Sequence, residues 1–447
     1  MNLATDIFSE ALEYFQTLLR FDTTNPPGNE REAIHYISNV LKKEGLEPIV
    51  IESAEKRANL IVRIKGDGSE KPLLITSHID VVGTEPDKWK YPPFAATIAE
   101  DYIWGRGAID MKNMTTYCLS TMVALARKKT KLKRDVIMSV VADEEVGGDY
   151  GMGFLTKNYA DLLRAEYALG ELGGYTIHMK GQRIYPIQIA EKGIFWINVK
   201  FRGSPGHGSI PKEDNAHFQA ARFISKLQGR ELPSHLTNPS KLFFTKLTSV
   251  FGPLGGIPFK LMQTSSGPRI LRMMELNSRD PDRYAALKAM LVNTVNPTGI
   301  ESGRQHNVVP STVTLKLDCR LLPGFTGKDL ILELEKFVGH SFEYEIVRED
   351  LGHESEINTP LFKMIEKQIV DFDPGAHAVP ILTVGFTDAQ YLKKLGMNCY
   401  GFTPIKLPPD ISFPTLYHGH NERIPVEGFR WGLNVFMQTV FDFCSQS

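Results

Sequence analysis

The sequence predicts an α/β protein, a mostly parallel sheet covered by helices, into which a smaller α+β domain is inserted. Three observations carry that expectation. At 447 residues the chain is longer than one ordinary core can use, so two or three domains are expected. The runs Leu73-Leu74-Ile75-Thr76 and Asp135-Val136-Ile137-Met138-Ser139-Val140-Val141-Ala142 are almost continuously apolar, the pattern of strands buried on both faces. From about Glu191 the pattern changes to alternation, as in Ile194-Phe195-Trp196-Ile197-Asn198-Val199-Lys200, which fits a sheet with one wet face. The first domain is therefore assigned to residues 1–191 and 351–447, and the inserted one to 192–350.

Taken in order, the segment before Thr23 reads as an amphipathic helix. Its acids Asp6, Glu10 and Glu13, and the lack of a basic start before an unbroken apolar run, argue against a signal peptide. Turn chemistry at Asn25-Pro26-Pro27-Gly28 stops it, and a second helix runs from about Glu30 to Glu44. Strands are expected at 48–51, 59–64, 73–76 and 135–142, with a helix over 113–128 before the last of them and another over 153–158 after it. A further strand, from Tyr167, ends at Glu171. In the inserted domain, strands at 193–203, 308–320 and 342–348 accompany helices over 215–228 and from about Lys328. The α/β pattern returns with a helix to Asp371, a strand at 380–383, a helix over 388–395, the segment 398–402 and a closing helix over 426–443. The stretch 242–276, rich in Phe and Met, reads either as packing for the inserted domain or a dimer contact, or as the wall of a pocket for an apolar substrate.

Charge excludes some partners. With 51 basic and 52 acidic residues the net charge is −1, and no basic block recruits nucleic acid or an anionic membrane. No stretch is apolar enough to span a bilayer. The four cysteines, Cys118, Cys319, Cys399 and Cys444, form no Cys-x-x-Cys pair and read as reduced thiols of a cytoplasmic protein.

The chemistry gathers at strand ends, where open α/β sheets keep it. His78 and Asp80, two apart on an extended chain, lean to one side, so His78 can hold a metal while Asp80 fixes its tautomer. Asp110 follows the glycine-rich turn Gly105-Arg106-Gly107, where a carboxylate can bridge two cations. Glu144 and Glu145 are read as the end of a strand, pointing opposite ways so that one ligates and the other faces water. With Glu171 and His418 these residues supply donors for two divalent ions, most suitably zinc, with cobalt or manganese as substitutes. Two ions among carboxylates suit hydrolysis. A catalytically silent metal or ligand binder and a scaffold are the rival classes; Glu144 together with the full set of ligand residues argues against the first, and this much site chemistry against the second.

Beyond the residues themselves, the chain resembles the M20 family of metallopeptidases and aminoacylases along essentially its whole length. The resemblance rests on Ser77-His78-Ile79-Asp80, Gly105–Lys112, Asp143-Glu144-Glu145, Gly170-Glu171, Pro205–Ser209, Asn307–Pro310, Gly385–Asp388 and His418–Glu422, in that order. It implies a zinc-peptidase-like catalytic domain and an inserted lid and dimerisation domain. It further implies that His78 and Glu171 hold one metal, Glu145 and His418 the other, and that Asp110 bridges them, followed by a cis Asp110–Met111 peptide. Glu144 would be the general base, and His207, donated across a homodimer, would stabilise the oxyanion, with Asn307 contributing. His418 and His420 compete for the last ligand position, and the family pattern His-x-x-Asn-Glu selects His418. Glu at position 171 resembles the deacylases more than the dipeptidases. Gln390 stands where the family often has Arg, and a neutral amide makes no charge-assisted fork to a substrate carboxylate, so carboxylate recognition either comes from elsewhere, with Arg304 the candidate, or is absent. The expected substrate is a small amide, an N-acyl amino acid or a relative of one, with a dipeptidase or other exopeptidase as the alternative.

Overall fold

The computed structural model describes residues 7–230, 232–276 and 281–446; Asp6, read above as part of the first helix, lies outside them. The described chain forms two compact units. One comprises the described parts of Met1–Ile189, Ser355–Pro380 and Thr387–Ser447, the other those of Ala190–Glu354 and Ile381–Phe386.

The first unit is α/β. Its sheet runs in the order Ile49–Ala54, Arg57–Ile64, Val136–Val141, Leu73–His78, Tyr167–Gly170, Asn398–Gly401, Gln182–Glu191. The four central strands, from Val136–Val141 to Asn398–Gly401, are parallel, and the flanking pairings are antiparallel. Every residue of Leu73–His78 and Val136–Val141 is buried, which is why those strands read as unbroken apolar runs. The helix Lys112–Lys128 is buried almost along its length. Two of its threonines bond within the helix, Thr116 Oγ1 donating to Lys112 O at 2.8 Å and Thr121 Oγ1 to Tyr117 O at 2.7 Å, while Thr115 Oγ1 reaches the strand at His78 O at 3.2 Å. This unit also holds a ribbon, Thr97–Ala99 against Tyr102–Trp104, extended by Arg423–Pro425, whose three-residue strands are too short to show a period in the sequence.

The second unit is an antiparallel sheet ordered Thr294–Glu301, Thr312–Leu321, Gly193–Arg202, Glu343–Asp350. Helices Ala216–Leu227 and Gly327–Val338 cover one face, burying Phe195, Ile197, Val199, Leu315, Leu317 and Leu334. The edge strand Thr294–Glu301 escaped the sequence reading because Pro297 and Gly299 interrupt it, and its register shifts between those two residues. The apolar stretch 242–276 is helical, within Asn238–Gly255, Ile257–Met262 and Gly267–Leu276. Lys192 is fully buried, with Nζ donating to Ala289 O at 3.1 Å and Val292 O at 2.8 Å, so it ties the end of helix Pro281–Ala289 to the sheet. All four cysteines are buried thiols. No helix among the described residues is long and apolar enough to cross a membrane.

Candidate metal centre

His78 is the last residue of its strand and is buried. Its Nδ1 faces acceptors only, the Asp80 carbonyl at 3.0 Å and Asp80 Oδ1 at 3.5 Å. The ring proton therefore belongs on Nδ1, which leaves the Nε2 lone pair for a cation. That nitrogen lies 3.3 Å from Asp110 Oδ1 and 3.5 Å from Glu171 Oε2. On the other side of Asp110, Oδ2 is 3.2 Å from His418 Nε2, which is 3.0 Å from Glu145 Oε2. Two donor triads result, His78, Asp110, Glu171 and Asp110, Glu145, His418, each with ligand atoms within 4.8 Å of one another and sharing Asp110 through opposite oxygens.

The donor set fits two divalent cations. His78 Nε2, Glu145 Oε1 and Glu171 Oε1 are buried and lack a hydrogen-bond partner among the described residues. Buried polar atoms are rarely left so, and a cation in each triad would answer them, one facing His78 and Glu171 and the other Glu145. Imidazole nitrogen with carboxylate oxygen is the chemistry that zinc and its borderline neighbours take.

Electrostatics follow from packing carboxylates out of water. Burial pushes Glu144 well above the usual carboxylate range, with the charge of Glu171 adding to it. Burial and the charge of Asp110 raise Glu145 to about 7. Burial works the same way on Asp110, but hydrogen bonds from His418 and His78 outweigh it and hold that carboxyl below its ordinary value. Hydrogen bonds to Asp110 and Glu145 raise His418 to about 10. The cluster attracts positive charge, and a metal ion answers that demand more compactly than protons do.

Glu144 belongs to neither triad. Its Oε2 stands 3.9 Å from His78 Nε2, and the side chain is nearly buried. The strand-end alternation expected for Glu144 and Glu145 does not hold, because Asp143 adopts a left-handed conformation (φ 69°) and the pair sits on a 3₁₀ turn, Glu144–Val146. Asp80 positions that turn by accepting from the backbone N–H of Glu144 at 3.1 Å and of Glu145 at 3.2 Å. One buried carboxylate thus orients His78 and both glutamates.

Several supporting residues were not picked out from the sequence. Asn25 Nδ2 donates to Asp80 Oδ2 at 2.9 Å and to Asp143 Oδ1 at 3.0 Å, while Arg57 bridges Glu30 and Asp143, both at 2.8 Å. Fully buried Glu422 accepts from the backbone N–H of Gly107 at 3.0 Å, Ile109 at 2.8 Å and Asp110 at 3.2 Å. It also pairs with Arg106 at 2.7 Å, whose other nitrogen donates to Gly419 O at 2.9 Å. Glu422 thereby holds the Asp110 turn and ties it to the His418 loop. Its place in the His418–Glu422 motif was a signal, though sequence offers no partner for it. The Asp110–Met111 peptide is cis.

The remaining candidates belong to neither triad. His420 is exposed, with Nε2 3.7 Å from Glu85. Gln390 is buried, and its Nε2 has no hydrogen-bond partner among the described residues. His207, Asn307 and Arg304 are exposed residues of the second unit. His207 lies on a two-residue ribbon with Val308, and Gly208 N donates to Asn307 O at 2.7 Å. The backbone N–H of Ser209 donates to His207 Nδ1 at 3.2 Å, so the neutral ring carries its proton on Nε2.

Comparison with known proteins agrees with this chemistry. The profile described as "Peptidase family M20/M25/M40" matches residues 74–442. N-fatty-acyl-amino acid synthase/hydrolase PM20D1 of Xenopus tropicalis is 25% identical over 431 residues, covering 92% of this chain and 80% of that protein. Aminoacylase-1 of Mus musculus is 26% identical over 444 residues, covering 94% of this chain and 92% of its own. Among solved structures, the M20 family metallo-carboxypeptidase Sso-CP2 from Sulfolobus solfataricus superposes with a TM-score of 0.70 at 21% identity, covering 96% of this chain and 98% of that one.

Proposed function

The chain belongs to peptidase family M20/M25/M40 and is a metallohydrolase of amide or peptide bonds; from that premise we propose that it removes the acyl group from N-acyl amino acids. The observation that carries this reading is the pair of donor triads sharing Asp110, with Glu144 beside them and outside both. Two acylamino-acid hydrolases, similar along most of the chain, support the substrate class.

His78, Asp110 and Glu171 would hold one ion and Asp110, Glu145 and His418 the other, and zinc suits this set best. When bound, two such ions polarise an amide carbonyl and acidify water. Glu144 takes a proton from the attacking water as its oxygen bonds to the acyl carbon, then passes that proton to the nitrogen as the C–N bond breaks. The products are a carboxylic acid and an amine. In a homodimer built through the second unit, the partner subunit's His207 donates Nε2–H to the carbonyl oxygen as negative charge develops there, and Asn307 assists. Arg304 takes the free carboxylate of the amino acid. A cytoplasmic location accords with four buried thiols.

Purified protein supplied with Zn2+ or Co2+ is expected to hydrolyse N-acyl amino acids faster than dipeptides of the same amino acids. The reverse order would assign the exopeptidase reading, and failure on every amide would sink both. A second expectation concerns Asp80. Asp80→Asn keeps the shape but loses a charge that His78 and the Glu144–Glu145 turn share, and metal affinity in calorimetric titration should fall by roughly 10–100-fold, with two ions still bound at saturation. Unchanged affinity would remove Asp80 from the orienting role.

A further inference from the structure

The helical stretch Asn238–Leu276 of the second unit turns apolar side chains toward solvent. Gly252 (φ 70°) and Pro253 break its first helix, and Ile257–Met262 follows. Phe251 and Phe259 stack at 5.3 Å across this bend. Thr245 Oγ1 donates to Gln263 Oε1 at 3.3 Å, tying the two arms together. With the phenylalanines paired and Met262 buried, Leu254, Ile257 and Leu261 are left outside, 84%, 48% and 48% exposed. Ile257 and Leu261 are four apart on one helix, so they share a face, and that face is the wet one. A leucine 84% exposed lines no cleft.

The charge of this stretch is one-sided. Within 238–276 the basic residues are Lys241, Lys246, Lys260, Arg269 and Arg272, against one acid, Glu275. That acid is bound to Lys288 at 2.8 Å. The near-neutral whole chain, net −1, conceals this local excess, which is why no basic block stood out in the sequence.

We propose that this stretch is a docking surface for an anionic lipid bilayer, with Leu254, Ile257 and Leu261 entering the headgroup boundary and Lys260 and Arg269 meeting lipid phosphates and carboxylates. Apolar residues flanked by lysine and arginine on short helices are the composition that lies in a membrane interface without crossing it. Each cation near such a surface multiplies binding about fivefold. A second copy of the chain fits less well. A two-fold contact would set this patch against itself, basic residues facing basic residues.

The test is cosedimentation of the full chain with phosphatidylcholine vesicles, with and without phosphatidylserine in about a 7:3 ratio. The protein should pellet with the mixed vesicles, remain in solution with phosphatidylcholine alone, and be released by salt. Leu254→Asp/Ile257→Asp/Leu261→Asp should lower the partition at least about tenfold, and Lys260→Glu/Arg269→Glu should abolish the preference for phosphatidylserine without touching the apolar tip. Thermal melts check that each variant is folded, and the charge reversal carries the test if the triple variant is not. Failure of the parent protein to pellet with mixed vesicles would overturn the proposal, as would parent-like pelleting of both variants. Conversion of a dimer to a monomer by the triple variant, with no vesicle binding by the parent, would assign the patch to self-association instead.

Discussion

Glu144→Gln is expected to lower kcat by roughly 10²–10⁴-fold, the span that a positioned general base commonly accounts for. The substitution keeps volume and hydrogen-bonding capacity but removes the site that takes and returns the proton. Because Glu144 lies outside both donor triads, metal binding should be nearly untouched, with two ions per chain in calorimetric titration. KM should move little, since the loss falls on the transition state rather than on ground-state binding. The pairing of readouts matters. A fall in activity together with loss of an ion would make Glu144 a ligand, and turnover persisting at the parent rate would take the base role away from it.

Glu422→Ala is expected to destabilise the protein by about 3–5 kcal/mol and to abolish activity, although Glu422 is in neither triad. The carboxylate is fully buried and neutralises Arg106, itself only 2% exposed, while accepting from three backbone N–H groups of the turn that ends in Asp110. Its removal leaves one buried charge and three donors unpaired. Removing Arg106 as well should not restore stability, because the backbone donors stay orphaned. Urea unfolding of the single and double variants measures both effects. A single variant within about 1 kcal/mol of the parent would show that the buried pair contributes far less than its burial implies.

Much of the fold was legible from local pattern. The strand Leu73–His78 and the helix Lys112–Lys128 stand close to where periodicity put them, since burial on both faces writes itself into consecutive residues. Where the pattern is local but broken, as at Pro297 and Gly299, the edge strand disappeared from view. The turn bearing Glu144 shows another limit, for the left-handed Asp143 is held by Arg57 and Asn25, which no spacing rule connects to it.

The sequence by itself determined the α/β class and supplied the residue types found in the two donor triads, because secondary structure and side-chain chemistry are properties of short segments. Only the tertiary structure decided that Asp110 turns one oxygen toward His78 and the other toward His418, and that Glu422 grips the Asp110 turn from 312 residues away. Those relations depend on which distant segments pack together, and a pairing across such a separation leaves no periodic trace in a single chain.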